Sequence, residues 1–276
     1  MLKHRLFIPT APREATGTAP LVVALHGCTQ TASDFAAGTR LDSVAERTGA
    51  YVVYPEQSVA HNPNRCWNWF SRRHQARADG EPAMILALVA DVMARHPIDR
   101  DRVYLAGLSA GGAMAAILAE QAPDVFAAVG VMAGVPLHVS HDVPSALSAM
   151  HGDLGAPDVS AFASDPPPAA YRRMRATVWT GAHDRTVHPV NAAVLAQQFL
   201  RLFGMTGADA VLEERGDAAI ERWIDKTGLV RVESWNVRDM GHAWSGGSFR
   251  GSHTYPRGPR ASDAMMEFFL RDRRAV

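Results

Sequence analysis

Cysteine is scarce in this chain. The 276 residues hold only Cys28 and Cys66. Two cysteines exclude a small disulfide-dense scaffold and allow one pairing at most. The residues alone leave open whether they are free thiols of a reduced compartment or a bridge. Long apolar runs are missing too. No stretch approaches the roughly 20 residues needed to span a bilayer, so no membrane insertion is expected. The opening MLKHRLFIPTAP is basic but has neither an apolar core nor a small-residue cleavage site. Without a secretion signal, the expectation is a cytoplasmic protein by default. It becomes extracellular or periplasmic if a signal has been trimmed and the two cysteines are bridged.

Excess charge of either sign is absent as well. Acidic and basic residues balance at 28 each. That argues against a general nucleic-acid or anionic-membrane binder, and for a substrate of little charge. There are no biased tracts and no internal repeats. The loop histidines, among them His138, His141, His151, His183 and His188, lack the spacing of a metal site. Neither a metal nor any other cofactor is expected.

Nearly half the residues are apolar, enough for a substantial core. They fall into short continuous runs: LVVALH (21–26), YVVYP (51–55), RVYLAG (102–107), AAVGVMAG (127–134), ATVWTG (176–181) and VRVESWNV (230–237). Continuous rather than alternating runs fit strands buried on both faces of a parallel sheet. Helical patterns lie between them, such as the one ending at Gly49 and the one stopping before Pro97. Strand and helix in alternation predict an α/β fold, a doubly wound, mostly parallel sheet with helices on both faces. Two regions break the rhythm. Residues 135–175, including SDPPPAAY, read as an irregular excursion bordering the site, and 205–229 as a small excursion before the last strand. With no linker between two cores, residues 1–276 are expected to form one catalytic domain.

The stretch GLSAGGAM (107–114) follows an apolar run and opens a helical one. A serine at such a strand–turn–helix corner stands proud of the sheet, and small flanking glycines give the crowded corner clearance. The helix N-terminus adds positive potential beside Ser109. Serine needs a base, and the base an orienting acid. Asp184 lies three residues beyond Gly181, where a strand ends, and His242 follows the last long strand in DMGHAWSGG. Both positions fall at carboxyl ends of strands, on the edge that carries Ser109. Asp239 competes for the acid role but shares the loop of His242, too close to reach the far ring nitrogen. A developing oxyanion needs donors. The N–H of Ala110, next after the serine, is one. HGCTQ, after the first predicted strand, offers the N–H of Cys28 as the other.

The segments LVVALHGCTQTASDFA, YPEQS, NRCWNWF, RVYLAGLSAGGAMA, GAHDRTVHPVNA and GHAWSGGS…GSHTYPRGPRAS together resemble the poly(3-hydroxybutyrate) depolymerase-type esterases, relatives of feruloyl and acetyl-xylan esterases. The resemblance runs from about residue 5 to the C-terminal helix. It implies an α/β-hydrolase fold, Ser109, Asp184 and His242 as the triad, and Cys28 N–H in the oxyanion hole. It also implies a Cys28–Cys66 disulfide that ties the oxyanion loop to NRCWNWF. Polymer-degrading members usually add a linker and a polymer-binding domain, and no such segment follows here. That favours soluble esters, oligomers or amorphous polymer over crystalline polymer. Trp67 and Trp244, with Tyr255, are candidates for an apolar substrate wall, whereas Trp69 and Phe70 read as core.

The expectation is a serine carboxylesterase for small, oligomeric or polymeric esters of hydroxyalkanoate or short-chain type. Its rivals are a feruloyl- or acetyl-xylan-type esterase, a peptidase, and a non-catalytic binding protein of the same fold.

Overall fold

The computed structural model describes residues 2–10, 17–155, 169–205 and 207–271. Among the described residues, eleven strands and seven α-helices follow one another as β1 (His4–Phe7), β2 (Ala19–Leu25), α1 (Ala32–Thr39), α2 (Leu41–Thr48), β3 (Tyr51–Pro55), α3 (Gly80–Arg95), β4 (Ile98–Leu108), α4 (Ala110–Gln121), β5 (Ala128–Met132), α5 (Val143–Met150), β6 (Arg175–Gly181), α6 (Val190–Leu202), β7 (Val211–Arg215), β8 (Ala218–Ile224), β9 (Val230–Val237), β10 (Trp244–Ser245), β11 (Thr254–Tyr255) and α7 (Ala261–Leu270). Nine strands form one sheet in the order β1-β3-β2-β4-β5-β6-β9-β8-β7, while β10 and β11 pair separately. The six strands from β3 to β9 run parallel. β1 lies antiparallel on β3, and β8 and β7 are added antiparallel beyond β9.

The continuous apolar runs are explained by the two layers that cover the sheet. Every residue of β2, β3, β5 and β6 is buried. Alternate side chains serve opposite faces, as the pleat requires. Leu21, Val23 and Leu25 pack with α3, α4 and α6, whereas Val22 and Ala24 pack with α1, α2 and α7. On the second face Trp179 and Trp235, register partners on β6 and β9, stack with centroids 4.0 Å apart. Burying a large side chain of this kind stabilises the fold by about 1.5–3 kcal/mol.

All six predicted strands are present, and Gly49 closes α2 in the left-handed conformation expected of a C-cap. The excursion expected over 205–229 is instead the hairpin β7–β8, which widens the sheet. Its β7 is exposed along all five residues, so it lacks the apolar run that marked the central strands. Within the expected irregular segment 135–175, α5 begins at a capping box formed by Asp142 and Ser145. Much of SDPPPAAY lies outside the described residues. None of the helices among the described residues is long and apolar enough to cross a membrane.

Candidate active site

Because β4, β6 and β9 are parallel and in register, the residues that follow them emerge on one edge of the sheet. β4 delivers Ser109, β6 delivers Asp184 and β9 delivers His242.

The turn at Ser109 is sharp. Its backbone sits at φ 56° and ψ −121°, a left-handed conformation that side chains disfavour, and α4 starts at the next residue. Ser109 N–H donates to Met132 O on β5 at 2.9 Å, and its carbonyl accepts from Ala113 N–H at 2.9 Å. The glycines of the motif leave room for a close approach. A Cβ on Gly111 would stand 2.2 Å from Leu25 O, and one on Gly107 would stand 2.2 Å from Gly111 O. Glycine there lets α4 press against the end of β2, which carries the HGC loop.

Asp184 is 4% exposed. One carboxylate oxygen accepts the backbone N–H groups of Thr186 and Val187 at 2.9 and 2.8 Å. The other accepts from His242 Nδ1 at 2.7 Å. With Asp184 Oδ2 as acceptor, Nδ1 carries a ring proton, and in the neutral ring Nε2 is then the nitrogen with the lone pair. The two loops are knitted together by Ala182 N–H to Val237 O at 2.9 Å and His183 N–H to Met240 O at 3.0 Å. Gly181 makes this possible, since a Cβ there would stand 2.2 Å from Met240 O. Asp239, the rival acid, is exposed, and His242 Nδ1 is already taken. The structure thus brings Asp184 and His242 together and puts Ser109 on the same edge. The Ser109 hydroxyl itself forms no hydrogen bond among the described residues. Such contacts are often long before substrate binds.

Cys28 and Cys66 are joined in a disulfide, with Cα atoms 4.2 Å apart. The loop around Cys28 is fixed on several sides. Gly27 N–H donates to Gln30 Oε1 at 2.9 Å, and Thr29 N–H donates to Asn64 O at 2.6 Å. His26, fully buried, accepts Gln57 N–H on Nε2 at 3.0 Å, so its Nδ1 is the donor to Gly27 O at 2.7 Å. Burial holds this imidazole below its ordinary pKa, against the opposing bond to Gly27 O. Among the described residues, neither the Cys28 nor the Ala110 N–H has an intramolecular partner. Both are free to receive an oxyanion.

The aromatic candidates fare differently. Trp67 and Trp244 are 0% and 1% exposed, so neither presents a wall to a substrate. Their indole N–H groups are used inside the protein, Trp67 on His26 O at 3.1 Å and Trp244 on Ser262 Oγ at 3.0 Å. This corrects the expectation that they line the cleft: a tryptophan beside a motif can brace it from below. Tyr255, on β11, is half-buried and retains open surface. Sequence reasoning missed His253, whose Nε2 lies 3.4 Å from Thr29 Oγ1 beside Cys28. It also missed Gln57 and Glu81 beneath the HGC loop, although YPEQS lay among the resemblance segments. No cluster of three or more metal-binding side chains occurs among the described residues.

The sequence pattern of the family described as esterase PHB depolymerase matches residues 2–221. Poly(3-hydroxyalkanoate) depolymerase C of Paucimonas lemoignei is 33% identical over 252 residues, covering 88% of this chain and 58% of its own. Poly(3-hydroxybutyrate) depolymerase of Ralstonia pickettii is 32% identical over 256 residues, covering 87% of this chain and 50% of its own. The chain therefore spans only about half the length of these two relatives. An acetyl xylan esterase from Aspergillus awamori superposes with a TM-score of 0.77 at 20% identity, over 96% of this chain and 93% of its own. At that identity the likeness speaks for the fold alone. The chain belongs to the esterase PHB depolymerase family and has the α/β-hydrolase fold.

Proposed function

We propose that the protein is a serine carboxylesterase acting through Ser109, His242 and Asp184. The observation that carries this reading is the 2.7 Å bond from His242 Nδ1 to a buried Asp184 on the edge where Ser109 emerges at φ 56°. His242 Nε2 takes the Ser109 proton as Oγ attacks the ester carbonyl. Asp184 holds the ring and stabilises its charged form. The N–H groups of Cys28 and Ala110 receive the oxyanion. His242 then protonates the leaving alcohol, and a water activated by the same ring releases the acid from Ser109.

The substrate class we favour is a hydroxyalkanoate ester, as oligomer or accessible polymer, or a short-chain ester. The names of the two depolymerase relatives support it. Tyr255 is the aromatic candidate left to meet the substrate. The site works within one catalytic domain, without cofactor. Its disulfide fits an oxidising compartment better than the reduced cytoplasm.

A panel of short aryl esters, hydroxybutyrate oligomers, amorphous polymer and feruloyl esters tests both parts. Native protein is expected to cleave the aryl esters and the oligomers. Ser109→Ala should lose turnover by a factor of roughly 10⁴ or more while keeping its fold. Retained activity in Ser109→Ala would remove the serine from the mechanism. Preference for feruloyl esters would overturn the substrate class only.

A further inference from the structure

We infer that Glu81 is a positioning residue for the oxyanion amide of Cys28, an inference that rests on the serine esterase reading. Glu81 is the second residue of α3 and 3% exposed, yet it has no part in the triad. Oxygen Oε1 accepts from Gln57 Nε2 at 2.5 Å and from Asn68 Nδ2 at 2.6 Å. Oxygen Oε2 accepts the backbone N–H of Asn68 at 2.7 Å. No lysine or arginine pairs with it among the described residues. His74 Nδ1 stands 3.8 Å away but itself accepts Glu81 N–H at 3.0 Å, so that nitrogen carries no proton to share. The carboxylate is instead held by neutral donors and by the positive end of α3.

Its donors lead to the oxyanion loop. Gln57 uses its second amide hydrogen on Cys66 O at 3.1 Å and its backbone N–H on His26 Nε2 at 3.0 Å. Asn68 lies two residues after Cys66, whose sulfur is bonded to Cys28. Trp67, between them, donates to His26 O. His26 in turn donates to Gly27 O, the carbonyl of the peptide unit whose other end is Cys28 N–H. One carboxylate therefore fixes two routes to a single peptide plane, one through Gln57 and His26, the other through Cys66 and the disulfide. Two oxygens and several donors fit a carboxylate and not an amide. A glutamine would set its NH2 group against at least one of the Gln57 and Asn68 donors.

An oxyanion donor moved by a fraction of an ångström costs transition-state stabilisation and leaves ground-state binding nearly untouched. Glu81→Gln is therefore expected to lower kcat on an aryl ester about tenfold, with KM changed by less than about twofold. Repeating the substitution in a Cys28→Ala/Cys66→Ala background removes the disulfide route and leaves the one through Gln57 and His26, so the penalty should fall but persist, at about threefold. An unchanged kcat in Glu81→Gln, or the same loss in both backgrounds, would overturn the inference. If Glu81→Gln does not fold, Asn68→Ala takes its place, with the same kcat-selective loss expected and a native kcat overturning the idea. Ser109→Ala runs in the same assay. Activity in that variant defeats the serine reading itself, whereas an inactive Ser109→Ala beside a fully active Glu81→Gln defeats only the positioning role.

Discussion

Two residues at or beside the site are held by the fold away from their behaviour in water, one in its backbone conformation and one in its proton affinity. Ser109, at φ 56°, stores about 1–3 kcal/mol of backbone strain. Glycine tolerates that region, so Ser109→Gly should be more stable than Ser109→Ala by about 1 kcal/mol, with both inactive. Chemical denaturation of the pair measures this, and equal midpoints would mean the turn is not strained. The second residue is His26. It is neutral because Nε2 accepts Gln57 N–H inside the core, and burial depresses its pKa. The unfolded chain binds a proton near pH 6.5 that the native state refuses. His26 thus contributes stability that is fully present above about pH 6.5 and is lost as pH falls from there toward its folded pKa. An NMR titration should find its ring still neutral where an ordinary histidine is half protonated. Half protonation at or above pH 6.5 would contradict the burial argument.

At the scale of elements, the HGC loop, proposed to carry the Cys28 oxyanion donor, is a short segment held from outside. The disulfide joins it to the segment after β3, and Asn64 O holds Thr29 N–H. Reduction should therefore cost activity before it costs the fold, with kcat down severalfold and the secondary structure unchanged. Circular dichroism and aryl-ester turnover, followed with and without reductant, check this order. The six central strands could be read from sequence because burial on both faces leaves continuous apolar runs. β7 could not, since VLEER is exposed throughout and forms a strand only by pairing with β8. β1 was missed for a related reason: HRLF is short, half-buried and carries two basic residues. The placement of Ser109, Asp184 and His242 on one sheet edge was legible because each follows a strand end that the apolar pattern marks. Trp67 was misread because sequence proximity to Cys66 does not reveal whether an indole faces the cleft or the core. Glu81 left no mark at all: a carboxylate in a helix's first turn looks like an ordinary dipole partner, and only the fold brings Gln57 and Asn68 onto it.

At the scale of the whole molecule, one sheet edge gathers the residues of the proposed mechanism. The loops after β2, β4, β6 and β9 bring the HGC turn, Ser109, Asp184 and His242 to the same side. The two helical layers keep those strands in place, so the groups are fixed before substrate arrives. The central claim is that this edge activates a single serine. The most direct measurement is intact and peptide mass analysis after treatment with a serine-reactive organophosphonate, with residual ester hydrolysis followed in parallel. The account predicts one adduct per chain, on the peptide carrying Ser109, with activity lost in proportion to labelling and no adduct in Ser109→Ala. An unlabelled Ser109 in a protein that still hydrolyses esters, or full labelling at another residue, would contradict it.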